Sequence, residues 1–538
     1  MKRNKNIKSL IQEDVDLIII GGGITGAGIA LDTALRGMKT VLFEKDDFAS
    51  GTSSRSTKLV HGGLRYLKQM EFKLVNEVGR ERAVLHQLAP HLVHPDKMLL
   101  PLIKGGNYGY WLTSMGLSVY DFLAGVTGED RRLMLNAEET KEAEPLLRDD
   151  ILEGGGLYAE YRTDDARLVM SVIRSAIAEG VKAFNYMKVA SLVIDGERAV
   201  GVEVEDQLTN EAVQVNAKCI VNATGPWVDD VRTLGEQISG KRLHLTKGIH
   251  LVIPHEKLPI KQTVYFDHAD RRMIFAIPRG ITTYLGTTDT FFEGDKSNPG
   301  ISQEDVTYIL DAVNNMFPSA NLSTADIISS WSGLRPLIHE EGKTASAISR
   351  KDELFFSENG MISIAGGKLT GYRKMAERVV DQVAERIGND EPCSTEDHQL
   401  TGGQFENYRA VKEYIDSLSK QFSKFNVVGH EIQHLVHTYG DESEGILMAA
   451  TKREETPEQA LLFAQFDFSI ANEQVCTLAD FVERRTGMIN FEIEKVKRNS
   501  SDLVNYAAKV WEWDEERKRI ELQKLNELVA QATDFSTT

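Results

Sequence analysis

The feature that most constrains the fold is a GxGxxG glycine pattern at residues 21–26, placed between a predicted strand and a predicted helix. Residues 15–20 (VDLIII) form a continuous apolar run, which is typical of a strand buried on both faces. Residues 24–36 repeat apolar side chains at helical spacing, and Gly37 ends that helix. Residues 39–43 (KTVLF) predict a second strand, so the whole segment forms a right-handed, parallel βαβ unit.

In this context the three glycines predict a dinucleotide-binding turn. Gly21 allows a tight turn, Gly23 lets the backbone approach a pyrophosphate, and Gly26 lets the helix pack closely on the sheet. The helix N-terminus at Ile24 offers N–H groups and partial positive charge to phosphates. Glu44 follows the second strand, where a carboxylate accepts hydrogen bonds from ribose hydroxyls and disfavours a 2′-phosphate.

Two later turns favour FAD over NAD. Residues 221–226 (VNATGP) follow an apolar strand and resemble the ATG segment of two-domain flavoproteins, which assigns Ala223 and Gly225 to the cofactor. Residues 361–365 predict a strand that ends at Gly366-Gly367, and a helix begins at about Thr370. The N-terminus of that helix would stabilise negative charge on a reduced flavin. The predicted cofactor site therefore also includes Lys368, Leu369 and Thr370.

The chain is long enough for two or three domains, since it has 538 residues. Strands and helices alternate up to a loop at residues 385–405, and helical patterns dominate after it. The predicted class is α/β (α+β overall), with a Rossmann-like FAD-binding domain over residues 14–390. An antiparallel-sheet substrate domain, interleaved with it, covers about 90–160 and 240–345. Residues 391–538 form a C-terminal all-helical cap.

Local patterns add detail to this organisation. Residues 188–206 predict a hairpin around Asp195-Gly196, and several strand patterns without intervening helices cluster in residues 243–290. A long polar helix is predicted over about 500–530. Its apolar side consists of Leu503, Ala507, Val510, Ile520, Leu525 and Leu528.

Composition excludes several function classes. The net charge of −18, more than half of it in the helical tail, argues against a nucleic-acid partner. The three cysteines lie far apart, so neither a disulfide framework nor a Cys-rich zinc site is expected, and no metal site is predicted. The sequence has no secretory signal and no apolar run of membrane-spanning length. We therefore expect a cytoplasmic protein with at most peripheral contact with the inner face of the cell membrane.

Two segments are candidates for that contact. The N-terminus carries Lys2, Arg3, Lys5 and Lys8 before its first acidic residue. Residues 108–126 are apolar and rich in aromatic side chains, but Thr113, Ser114, Ser118, Asp121 and three glycines interrupt them. The alternatives are a core helix or a surface patch that meets a quinone in the bilayer.

The chain resembles the FAD-dependent glycerol-3-phosphate dehydrogenases, which are respiratory enzymes in the larger group of D-amino-acid oxidase and glycine oxidase. The resemblance rests on DLIIIGGGITGAGIALDTALRG, TSSRSTKLVHGGLRYL, TDDARLV, VNATGPWVDD, SGLRPL and GGKLTGYRKMAE, which are spread over residues 16–377. It implies that Thr52, Ser53, Ser54, Ser56 and Lys58 help to hold the flavin. It also implies that the Gly62-Gly63 backbone lies close to the flavin ring, and that glycerol 3-phosphate and a quinone are the substrates.

Oxidation of such a secondary alcohol needs a base, an anion anchor and positive potential near the flavin. His61 and His250 are the competing candidates for the base, because a neutral imidazole suits that role. Arg65, Arg335 and Lys368 are the candidate cations for the phosphate and the flavin. Arg272 and Tyr66 are further candidates for substrate binding.

Two other functions remain open from the sequence. One is an FAD oxidase that acts on an amine or a 2-hydroxy acid and uses oxygen. The other is a non-catalytic dinucleotide-binding sensor whose helical tail recruits a partner. The oligomeric state is also open, with a homodimer among the alternatives.

Overall fold

The computed structural model describes residues 15–61, 72–109, 113–114, 131–235, 237–238, 240–339, 352–427 and 429–535. Its strands are β1 (Val15–Ile20), β2 (Thr40–Phe43), β3 (Leu59–Val60), β4 (His94–Ile103), β5 (Leu133–Asn136), β6 (Leu152–Arg162), β7 (Lys182–Phe184), β8 (Met187–Asp195), β9 (Arg198–Asp206), β10 (Ala212–Asn222), β11 (Arg242–Pro254), β12 (Thr263–Asp267), β13 (Met273–Arg279), β14 (Thr282–Gly286), β15 (Thr290–Phe291), β16 (Ser329–His339), β17 (Glu353–Phe356) and β18 (Ile362–Ala365). Its helices are α1 (Ile24–Leu35), α2 (Phe72–Leu88), α3 (Ala137–Ala143), α4 (Asp165–Ala178), α5 (Val228–Arg232), α6 (Gln303–Met316), α7 (Tyr372–Ile387), α8 (Tyr408–Gln421), α9 (Gly429–Tyr439), α10 (Ser443–Ala450), α11 (Pro457–Asn472), α12 (Met488–Phe491), α13 (Ile493–Trp511) and α14 (Glu515–Thr533).

The first sheet has a parallel centre in the order β18-β10-β1-β2-β7. Strand β17 pairs antiparallel with β18, and the predicted hairpin, β8 with β9, extends the sheet from β10. In the register of the centre, Ile20 lies opposite both Phe43 and Asn222, and Asn222 lies opposite Ser363. The carboxyl ends of these strands therefore meet at one edge, where open α/β sheets bind their ligands.

The second sheet runs in the order β11-β14-β13-β12-β4-β6-β3, with β16 and β15 paired to β11 and β5 paired to β6. Its strand pairs are antiparallel except β4 with β12. The predicted cluster of strands in residues 243–290 is thereby confirmed as β11 to β14. Strand β16 pairs with β11 over its whole length, from His339 opposite Arg242 to Ser329 opposite Val252.

Apolar faces hold each sheet to its helices. On the first sheet α1 packs between the strands and the helices α4 and α7, and Leu17 and Ile19 of β1 are fully buried in that core. On the second sheet α6 covers β11, β13 and β14, with Phe266 edge-on to Phe317 at 5.5 Å. Both cores follow the helical and alternating apolar patterns of the sequence.

From residue 408 on, the described chain consists of helices and turns. The prediction of one long helix over residues 500–530 is wrong, because α13 ends at Trp511 and α14 begins at Glu515. Glu512 takes a left-handed conformation, and the Asp514 carboxylate caps α14 by accepting the N–H of Arg517 at 2.7 Å. Of the predicted apolar side, Leu503, Ala507 and Leu525 are buried, but Val510 is 40% exposed.

No helix within the described residues is long and apolar enough to cross a membrane. The basic N-terminal residues and most of residues 108–126 lie outside the part of the chain that the structure describes.

Candidate cofactor and substrate site

A cavity of about 440 Å³ follows the carboxyl edge of the first sheet. Its lining begins at residues 366–369 after β18, continues past Ala223 after β10 and Gly21 after β1, and reaches Glu44 and residues 187–190 beside β2 and β7. Four strand spacings separate β18 from β7, which corresponds to about 19 Å. The cavity therefore extends along the carboxyl ends of all five parallel strands.

Most of the predicted cofactor residues line this cavity: Gly21, Gly23, Ile24, Glu44, Thr52, Ser53, Ala223, Gly225, Gly366, Gly367, Lys368 and Leu369. Five others are not part of the lining: Gly26, Ser54, Ser56, Lys58 and Thr370. Gly62, Gly63, Arg65 and Tyr66 lie outside the described residues.

The glycine turn brings the backbone of α1 against the sheet. A Cβ atom on Gly26 would lie 1.9 Å from the carbonyl oxygen of Gly21, and one on Gly21, whose φ is +112°, would lie 2.6 Å from the carbonyl oxygen of Ala223. Gly23, the N-cap of α1, has no side chain with which to cap the helix, and the first turn of α1 contains no acidic residue. This helix end can therefore accept an external phosphate.

Glu44 and Ser53 organise the polar wall beside this helix. The Glu44 carboxylate accepts the N–H of Gly22 at 2.7 Å and the N–H of Asp46 at 2.9 Å. Burial raises the pKa of Glu44 to about 7, so the group ionises near neutral pH. The Ser53 hydroxyl accepts the N–H of Ile24 at 3.0 Å.

Lys58 supports the loop next to the cavity from behind its lining. Its ammonium group donates to the Asp165 carboxylate and, at 3.0 Å, to the carbonyl of Ser54. Asp165 also accepts the N–H of Ser56 at 2.9 Å. Lys58 and Asp165 are both almost fully buried, so this ion pair fixes the shape of the loop.

The other end of the cavity lies at the turn after β18. A short 3₁₀ turn covers Leu369–Gly371, and α7 begins at Tyr372, slightly later than the sequence predicted. Lys368 precedes this turn and lines the cavity together with Pro336 and Met375. The N-terminus of α7 and a lysine thus lie at the predicted flavin end.

His250 is buried in β11, next to the loop of residues 52–58. Its Nε2 forms a hydrogen bond of 3.0 Å with the Thr57 hydroxyl, and its ring stacks on Trp331 at 4.7 Å. Burial, together with the positive charges of Arg335 and Lys58, holds the pKa of His250 well below its usual value. The ring is therefore neutral at physiological pH.

Arg335 lies where the second sheet meets the cavity. Its guanidinium group donates to the Asp289 carboxylate at 3.2 Å and to the Thr287 hydroxyl at 2.9 Å. The next residue, Pro336, lines the cavity, and the Thr52 hydroxyl donates to the neighbouring Leu334 carbonyl at 2.7 Å. The Arg335 side chain is about one quarter exposed.

His61 and Arg272 occupy different environments. His61 follows β3, is partly exposed, and lies edge-on to Phe275 of β13 at 6.2 Å. Arg272 lies in the exposed turn between β12 and β13 and forms an ion pair with Asp270 at 3.4 Å.

Several lining residues were not found from the sequence. Residues 187–190 of β8 line the cavity beside Glu44, and Lys45 lies over the Trp227 ring at 4.1 Å from its centre. Lys45 directly follows Glu44, and Trp227 lies in the same segment as Gly225, so proximity along the chain could have suggested both. No local sequence signal identifies residues 187–190 as cavity-lining, because their position depends on the tertiary contact of β8 with β2.

The cavity along the sheet edge, the glycine turn at a helix N-terminus and the adjoining second sheet together define a protein of the dinucleotide-binding α/β class. A family model for FAD-dependent oxidoreductases matches residues 16–373, and a model for the C-terminal domain of alpha-glycerophosphate oxidase matches residues 393–518.

Individual relatives cover nearly the whole chain. The aerobic glycerol-3-phosphate dehydrogenase of Bacillus subtilis is 47% identical over 544 residues, which cover 99% of this chain and 98% of the relative. The enzyme of the same name from Staphylococcus saprophyticus is 46% identical, with 94% and 93% covered. The X-ray structure of glycerol-3-phosphate dehydrogenase from Bacillus halodurans, complexed with FAD, is 43% identical with a TM-score of 0.86 and covers 100% of this chain and 99% of that one. Glycine oxidase from Geobacillus kaustophilus shares the fold at 19% identity, with a TM-score of 0.53 and 72% and 99% covered.

The chain belongs to the FAD-dependent aerobic glycerol-3-phosphate dehydrogenases, within the D-amino-acid oxidase-like flavoproteins. The predicted family, the predicted fold class and FAD as the family's cofactor are thereby confirmed. The N-terminus of α1 at Gly23, which has no acidic residue in its first turn, and the cavity along the carboxyl edge of the first sheet fit this cofactor.

Proposed function

We propose that this enzyme oxidises sn-glycerol 3-phosphate to dihydroxyacetone phosphate, with FAD as the hydride acceptor and a membrane quinone as the final electron acceptor. The relatives that match over the whole chain carry the name of this dehydrogenase. The structural observation that carries the proposal is Arg335, a partly exposed arginine next to Pro336, which lines the cavity.

Arg335 binds the phosphate of the substrate in this proposal. Asp289 and Thr287 hold its guanidinium group in one orientation, which lowers the cost of fixing it on a ligand. An arginine presents two parallel N–H groups to phosphate oxygens and stays charged at every physiological pH. A phosphate held there fixes the carbon that loses the hydride in front of the flavin.

His61 is the base that takes the hydroxyl proton. It is partly exposed at the end of β3, whereas His250 is buried and its Nε2 is hydrogen-bonded to the Thr57 hydroxyl. His250 instead supports Thr57, in the loop that also contains Lys58. Arg65, Tyr66 and Arg272 stay candidates for further substrate contacts.

When bound, FAD supplies a ring that accepts a hydride from the alcohol carbon. Lys368 and the N-terminus of α7 lie at that end of the cavity and stabilise negative charge there. Glu44 binds the ribose, and Gly23 with the start of α1 binds the diphosphate.

The quinone requires access to the bilayer. The apolar, aromatic segment of residues 108–126 is the proposed contact with the inner face of the cell membrane. In the described part of the chain no helix crosses a membrane, which is compatible with peripheral binding.

An anaerobic titration tests the substrate. Glycerol 3-phosphate should bleach the visible flavin absorbance, whereas glycerol and glycine should not. In steady-state assays Arg335→Ala should raise KM for glycerol 3-phosphate by at least tenfold with normal FAD content. The control Arg519→Ala, which removes an exposed arginine in α14, should leave KM unchanged. An unchanged KM in Arg335→Ala would remove Arg335 from the phosphate site.

A second experiment tests the base and the acceptor. His61→Gln should slow the anaerobic bleaching, while His250→Gln should not; the reverse result would make His250 the base. With air-saturated buffer, a quinone analogue should be reduced faster than peroxide appears. Stoichiometric peroxide would instead identify an oxidase.

A further inference from the structure

A cluster of buried charges joins the helical cap to the loop that carries Glu44. The cluster consists of Asp47, Asp480, Arg484 and Arg485. Arg485 donates two hydrogen bonds to the Asp47 carboxylate, at 2.7 and 2.8 Å, and Arg484 donates a third at 2.6 Å. All four side chains are at most 7% exposed, and the two arginines are 437 and 438 positions from Asp47.

The loop held by Asp47 forms one wall of the cofactor cavity. Asp47 lies between Glu44, at the predicted ribose position, and residues 50–53, all of which line the cavity. The N–H of Ser50 also donates to the Asp47 carbonyl at 3.2 Å. The position of Asp47 therefore sets the position of this wall.

The same cap segment also holds the adjoining stretch of the cavity lining, residues 187–190. Arg484 donates to Asp480 at 2.9 Å, and Asp480 accepts the Tyr186 hydroxyl at 2.5 Å. Tyr186 directly precedes Met187, the first of the lining residues 187–190, and the N–H of Met187 donates to the Glu44 carbonyl at 2.7 Å. Both stretches of lining at the predicted ribose end are thus held by hydrogen bonds to one turn of the cap, Asp480–Arg485.

These hydrogen-bonded ion pairs fix the orientation of their partners more strictly than is needed merely to hold the cap against the first sheet. Apolar side chains of similar volume hold two buried surfaces together at least as well as an ion pair does. A guanidinium group that grips a carboxylate with two N–H groups fixes its distance and its orientation. Arg484 also forms an ion pair with Glu483, and Arg485 also donates to the Glu473 carbonyl at 2.8 Å.

We propose that Arg484 and Arg485 of the cap are positioning residues for FAD, because they fix through Asp47 and Asp480 two adjoining stretches of the cavity lining at the adenosine end of the cofactor. The cap is then part of the cofactor site. This inference concerns cofactor affinity and is independent of the proposed substrate and electron acceptor.

The test compares FAD dissociation constants of full-length variants, measured by titrating deflavinated protein with FAD and following flavin fluorescence. Arg485→Gln should raise the dissociation constant of FAD at least tenfold. It should raise the dissociation constant of ADP by the same factor, because ADP occupies the adenosine diphosphate end, where the change acts. The control is Arg174→Gln, which removes two bonds of 2.6 Å between α4 and Glu442 of the cap. It should lower the melting temperature of the apoprotein but leave both constants within twofold of wild type.

A double-mutant comparison separates positioning from general destabilisation. If Arg485 acts through Asp47, the variant Asp47→Asn and the double variant with Arg485→Gln should show the same loss of FAD affinity as Arg485→Gln alone. Asp47→Asn preserves side-chain volume and serves alone if Arg485→Gln does not fold. Wild-type affinity in both single variants, an equal loss in Arg174→Gln, or weaker FAD binding with unchanged ADP binding would each overturn the inference.

Discussion

Replacing Gly26 by alanine should separate α1 from the glycine turn and so weaken cofactor binding. The added Cβ would lie 1.9 Å from the Gly21 carbonyl oxygen, whereas ordinary contacts begin at 3.4 Å. The helix must retreat by about 1.5 Å, because neither partner is a flexible side chain. Such overpacking costs about 1–3 kcal/mol of folding free energy. The retreat also withdraws the N–H groups at the start of α1 from the diphosphate. Losing one hydrogen bond to a charged group costs about 1.5–3 kcal/mol, which corresponds to at least a tenfold higher FAD dissociation constant.

Gly445→Ala is the matched control. Gly445 lies inside α10, and a Cβ atom there would meet no atom within 4 Å apart from its chain neighbours and the backbone of its own helix. Since alanine is the better helix former, this variant should be more stable by about 0.5–1 kcal/mol and should bind FAD normally. Urea unfolding of the apoprotein and fluorescence titration with FAD measure both effects. A Gly26→Ala protein with wild-type stability and wild-type FAD affinity would refute the argument from close packing.

Three further outcomes are expected. Asp165→Asn should lower the free energy of unfolding in urea by about 3–5 kcal/mol, because it leaves the buried Lys58 ammonium without its carboxylate. Adding Lys58→Met to this variant should recover much of the loss. A double variant no more stable than Asp165→Asn alone would contradict this. Burial lowers the pKa of His91 to about 3, so the unfolded chain binds a proton below about pH 6.5 that the folded chain does not. Stability should therefore fall by about 1.4 kcal/mol per pH unit from this group as the pH drops from about 6.5 towards 3, and His91→Phe should reduce the slope by that amount. Burial raises the pKa of Glu44 to about 7, and the ionised carboxylate is the better acceptor for ribose hydroxyls. FAD affinity should therefore decrease as the pH falls through 7. The affinity of Glu44→Gln for FAD should show no such pH dependence.

The central strand–turn–helix unit could be predicted because its signals are local. An apolar run, three glycines and the helical spacing after Ile24 all lie within one short segment, and each acts on its own backbone. The turn at Gly366 and the hairpin of residues 188–206 followed from the same kind of signal. The long cap helix was mispredicted because the apolar pattern continues past Trp511, while the capping side chain of Asp514 was not recognised.

The sequence by itself determined the nucleotide-binding turn, the kind of each sheet and the helical cap, because glycine conformation and hydrophobic periodicity depend on near neighbours along the chain. Only the tertiary structure decided that Lys58 pairs with Asp165, that Arg335 is held by Asp289, and that the cap arginines grip Asp47. The physical reason is that any carboxylate can satisfy any arginine. The choice among them depends on which surfaces the packing of the two sheets and the cap brings together in a dry interior, where an unpaired charge is not tolerated.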